Sequence, residues 1–86
     1  MKRQENLSEF VLSRNLFLFK KYLLSSSCHF YLLEEIVGEY SQGNISEAKL
    51  LIFSKIPFLY YEGIPEKFII GEICNAYELR RKEIGI

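Results

Sequence analysis

Apolar residues recur at intervals of three and four along nearly the whole chain. That is the period of a helix with one buried face; the strict alternation of a half-buried strand is absent. Leu7, Phe10 and Val11 share one face, and Leu16, Phe19, Tyr22 and Leu23 make the next stripe. Phe30, Leu33, Val37 and Tyr40 follow at steps of three, four and three, with Glu34, Glu35 and Glu39 on the wet side. Ala48, Leu51 and Ile52 then turn inward, and Phe68, Ile69, Ile73, Cys74, Tyr77 and Ile84 give the last apolar face.

The punctuation between these stripes sets the element boundaries. Asn6-Leu7-Ser8-Glu9 has the form of a capping box and predicts a short first helix, which the polar run Ser13-Arg14-Asn15 ends or bends. A second helix spans Leu16 to Leu24. Ser25-Ser26-Ser27 separates it from a third, Cys28 to Gln42, which the serines are placed to cap. Gly43 is a left-handed C-cap candidate, and Asn44-Ile45-Ser46-Glu47 is a second capping box opening a helix from about Ser46 to Lys55. Pro57 blocks continuation, Phe58 to Gly63 reads as an aromatic loop, and Pro65 launches a final helix to about Glu83. The expectation is an all-α fold: one domain over residues 1–86, a compact bundle of about five short helices, with the helical core at 6–84.

Composition adds a core and removes partners. Of the 86 residues, 49% are hydrophobic, enough for a small domain to bury a core and keep some surface for a partner. Eleven basic and eleven acidic residues cancel, so no net field steers the chain to nucleic acid or an anionic membrane. The clusters Lys2-Arg3, Lys20-Lys21 and Arg80-Arg81-Lys82 read as solvated faces or as cations suited to helix ends. Uninterrupted apolar runs reach only four residues, far below the ~20 of a membrane span. No apolar stretch follows the basic start, and the two cysteines have no partner spacing, so a soluble, cytoplasmic protein with reduced thiols is expected.

Candidate chemistry is sparse. Cys28 and His29 are adjacent and diverge by about 100° on a helix, so neither a metal pair nor a nucleophile–base dyad forms easily. Glu34 and Glu35 diverge in the same way, and the glycines at 38, 43, 63, 71 and 85 make no phosphate-cradling loop. No metal, cofactor or enzymatic activity is expected. The aromatic residues, seven Phe and six Tyr, point elsewhere. Phe58, Tyr60 and Tyr61 sit in a loop that either folds back over the core or stands open as the kind of patch enriched at protein interfaces. A protein-binding role follows, with self-association as an alternative; a small nucleic-acid-binding domain using Lys20-Lys21 or Arg80-Arg81-Lys82 comes after both, because net neutrality and the aromatic surplus count against it.

Phe19-Lys20-Lys21-Tyr22-Leu23 resembles the Phe-x-x-Phe-Leu stretch of a regulator of G-protein signalling (RGS) domain. Leu33-Glu34-Glu35-Ile36-Val37-Gly38-Glu39-Tyr40 is similar to that family's next helix, Ala48 to Phe53 to the one after, and Ile64 to Ile73 to the following one. The similarity covers about half of a complete RGS domain. It implies a helical module binding a Gα subunit and modulating its GTPase, with the catalytic Arg and Gln supplied by Gα itself. The implied contact positions are His29 and Phe30, where the family usually carries Glu-Asn, and Tyr61, Glu62 and Gly63, near the place of a family Asn. Ile69 stands where a basic residue is usual.

Overall fold

A computed structural model describes residues 2–85, with side chains described from residue 9 onward. The described residues form four α-helices and no strand: α1 (Lys2–Leu23), α2 (Phe30–Ser41), α3 (Ile45–Lys55) and α4 (Glu66–Ile84), with a single 3-10 turn at Phe58–Tyr60 between α3 and α4. The all-α expectation holds. The two N-terminal helices, however, are one. Ser13-Arg14-Asn15 spans less than a full turn and contains neither Gly nor Pro, and extending a formed helix through such residues costs little. Since α1 already runs through Asn6–Glu9, that capping box is not a helix start; the side chains of Asn6 and Leu7 lie outside the described ones.

The other boundaries fall where turn chemistry puts them. Gly43 adopts φ 85°, its N–H donates to Tyr40 O at 3.1 Å, and the Asn44 N–H donates to Glu39 O at 2.9 Å. These are the two bonds of a Schellman C-cap. Asn44 is the N-cap of α3 but makes no side-chain cap bond; its amide donates instead to Glu39 Oε2 at 3.1 Å, tying α3 to the end of α2. Pro65 is the N-cap of α4 and not its first residue, so the helix starts one residue later than expected, at Glu66. The serines act backwards as well. Ser25 Oγ donates to Tyr22 O at 2.6 Å and accepts from the Ser27 N–H at 3.3 Å, so they close α1, while α2 starts from an extended His29 with no side-chain cap.

α2 packs on α3 and α4, and α1 meets α4 and the 3-10 turn. Contacts of α1 with α4 and the loop before it advance together: Asn15 lies by Gly63 of the loop, Lys20 pairs with Glu72 at 3.6 Å, and Leu23 is bonded by Arg80. The two helices therefore run in the same direction. The core joins Phe19, Tyr22, Leu23 and Cys28 to Leu33, Ile36, Ile52, Ile56 and Ile73, closed by Ala48, Ala76, Tyr61, Ile64 and Ile69. In α2 the buried pair is Leu33 and Ile36, whereas Tyr40 is exposed. Packing on two helices widens the buried stripe of α2 toward Ile36. Phe68 and Ile84, expected inward, are exposed too.

Nothing N-terminal to Phe19 is fully buried among the described side chains. α1 is about 33 Å long at 1.5 Å per residue, and its first half extends past the body. The extents are 46 × 28 × 19 Å, and the radius of gyration of 13.8 Å exceeds the ~12 Å of a compact chain this long.

Candidate interaction surface

The site builds outward from the C-terminus of α1. Arg80 of α4 reaches this end, and its Nη1 donates to the carbonyls of Leu23 (2.9 Å) and Cys28 (2.5 Å). A helix C-terminus leaves carbonyls without intrahelical partners and carries partial negative charge. One guanidinium from a different helix satisfies the Leu23 carbonyl of this end and the Cys28 carbonyl of the loop that follows, and so fixes both ends of the connection to α2. The basic cluster at 80–82 is thus only partly a solvated face.

Tyr22 sits beside this clamp and touches both loops. Its hydroxyl lies at the Cys28 thiol, and its ring stacks on Tyr60 with centroids 4.0 Å apart and planes 14° from parallel. Burial pushes the Cys28 thiol above its ordinary value, against the opposing pull of Arg80 and the Tyr22 hydroxyl, and burial likewise raises Tyr22. Cys74 is raised by burial and by the Glu78 carboxylate. All three groups are held in the protonated form.

The aromatic loop divides. Tyr61 is buried, meeting Phe58 edge-on at 5.3 Å and Phe53 at 5.9 Å. Tyr60 is half-buried on Tyr22, so this part folds back over the core. Phe58 and Leu59 stand open, Leu59 with 71% of its surface exposed; Leu50 and Phe53 of α3 are exposed as well, and Phe53 reaches Phe58 through Tyr61. The 3-10 turn that Pro57 opens, with the Tyr60 N–H donating to Pro57 O at 3.0 Å, aims successive side chains in different directions.

The five candidate positions are distributed along the two loops. His29 is exposed at the start of α2, and Phe30, half-buried, stacks on Tyr77 at 5.4 Å. Tyr61 packs as above, Glu62 is exposed, and Gly63 turns with φ 78° beside Asn15. No described ring contact joins Phe30 to Tyr61. The loops do meet a few residues away, where Leu18, Tyr22, Ser25, Ser27, Leu59 and Tyr60 line a cavity of about 300 Å³. Reasoning from sequence missed Leu50, Leu59 and Arg80. A helical wheel of α3 would have placed Leu50 off the stripe of Ala48 and Ile52.

No family model, curated protein or solved structure matches the chain.

Proposed function

We propose that this chain is a protein-interaction domain whose principal surface is the apolar patch of α3 and the 3-10 turn. One observation carries the reading: Leu50, Phe53, Phe58 and Leu59 stay open next to a filled core in a chain whose aromatic residues could have been spent inside. Open aromatic and aliphatic clusters are what partner proteins desolvate. Phe58 and Phe53 are pre-positioned by Tyr61, so little side-chain entropy is lost on docking. The finer form, in which the partner is a Gα subunit, is supported by the resemblance over Phe19–Leu23, Leu33–Tyr40 and Ala48–Phe53. Of its contact positions, His29, Glu62 and Gly63 are open to a partner. Self-association is a second reading, because Lys55 at the end of α3 and Glu62 just after the 3-10 turn are exposed charges of opposite sign that two copies could oppose.

A photo-crosslinking residue placed at Leu59 tests the general reading, with Glu34 on the wet face of α2 as control. Capture of discrete proteins at Leu59 and not at Glu34 is expected; equal capture at both sites refutes it. Single-turnover GTP hydrolysis by a panel of Gα subunits tests the finer form, and light scattering the second.

A further inference from the structure

The apolar rows on α1 lie outside the core, and they touch the patch just described only at Leu18, which lines a cavity with Leu59. At 100° per residue, Phe10, Phe17 and Leu24 fall in one row and Val11 and Leu18 in another about a third of a turn away. All five are exposed, Phe10 by 65% and Phe17 by 63%. Between the rows lie Arg14 and Lys21, exposed and without an ion-pair partner among the described residues. The first row runs into a groove of about 420 Å³ between α1 and α4, floored by Leu24, Ala76 and Leu79. From Phe10 to Leu24 the face is ~21 Å long. It presents on the order of 500 Å² of apolar side chain, close to the apolar share of one standard protein–protein face.

We propose that this outward face of α1 docks an acidic amphipathic helix of a partner protein, its apolar stripe covering Phe10, Phe17 and Leu18 and its carboxylates pairing with Arg14 and Lys21. The charges decide the occupant. A second copy would set Arg14 and Lys21 against the same cations with no carboxylate on the face to answer them. An anionic bilayer would answer them, but the chain as a whole carries no net charge to hold it at such a surface. A helix with carboxylates flanking one apolar stripe satisfies both rows and both cations, in the helix-on-groove manner of peptide recognition.

The test uses the full chain and fluorescent synthetic peptides of about 18 residues, long enough to span the face. One peptide has Leu at helical a and d positions and Glu around them, one has Lys for Glu, and one is a scramble of the acidic sequence. Anisotropy should show saturable binding of the acidic amphipathic peptide. Arg14→Glu with Lys21→Glu should weaken it by about tenfold and reverse the preference toward the Lys peptide. Phe17→Ser should abolish binding with the circular dichroism spectrum unchanged. No saturable binding, equal binding of the scramble, or indifference to the charge reversal overturns the proposal. So does binding of phosphatidylserine vesicles in place of the peptide, or a dimer of the unmodified chain that Phe17→Ser dissolves. A second photo-crosslinking position at Leu50 of α3, away from the cavity that Leu18 and Lys21 share with Leu59, reads the α3 patch separately, so either surface can fail without the other.

Discussion

The Arg80 guanidinium donates to the carbonyl of Leu23, 57 residues earlier in the chain, and with the same nitrogen to Cys28 O. α4 thereby caps the C-terminus of α1 and locks the loop that follows it. Replacing Arg80 by Met keeps the stem but leaves two partly buried carbonyls unanswered, at a cost of about 2–3 kcal/mol. Lys, whose ammonium can donate to the same oxygens from a shorter reach, should restore part of this, whereas Lys82→Ala should cost under ~0.5 kcal/mol. Urea denaturation of the three variants checks the order.

Glycine positions separate into two kinds. Gly43 is held at φ 85° in the Schellman turn, and Gly43→Ala should lose about 1 kcal/mol to left-handed strain. Gly38 and Gly71 are helical, with nothing within 4 Å of an added Cβ, so Gly38→Ala and Gly71→Ala should each gain roughly 0.5–1 kcal/mol. Thermal melts of the three single variants would show opposite shifts.

On α1, two phenylalanines two residues apart should behave differently. Phe19 is fully buried, and Phe19→Ala should cost about 3–5 kcal/mol. Phe17→Ser removes an exposed ring and should change stability by less than ~0.5 kcal/mol. Equal losses in chemical denaturation would mean that the face of α1 assigned to the core is wrong.

Alkaline pH should destabilise the fold through its thiols. Cys28 and Cys74 are both raised above the ordinary value of 9.0, first by burial, so the folded state holds the proton longer than the unfolded chain. Below that value both states are protonated and the stability is intact; as pH rises beyond it the unfolded chain ionises first and stability falls. Tyr22, raised above 10.0, extends the loss upward. Urea midpoints measured across this range should decline, and less steeply in Cys28→Ala.

Helix identity was legible wherever Gly or Pro constrained the backbone. Pro57, Pro65 and Gly43 mark boundaries to within a residue or two, because φ restrictions act locally and owe nothing to tertiary context. The continuity of α1 was not legible, since a polar triplet reads alike on a wet helix face and in a break. Nor was the inward turn of Ile36 in place of Tyr40: that depends on α2 packing on two helices, a fact of topology. The candidate loop residues were found as loop residues, yet the ring that lies between the loops is Tyr22, inside a helix, and its two partners are 6 and 38 positions onward at Cys28 and Tyr60. Arg80 escaped for the same reason: a cation's long-range partner leaves no trace in its own neighbourhood.

The clamp also orders events during synthesis. α2 and α3 are joined by a tight turn and can pair as soon as residue 55 has left the ribosome. The connection between α1 and α2 stays unlocked until residue 80 has followed. Through that interval α1 has at most the 3-10 turn to cover its inner face, and the part of that face that meets α4 stays open. A chaperone or a waiting partner therefore meets a wider apolar strip on the nascent chain than on the finished one, and the arrival of α4, with Arg80 as its last tie, narrows it.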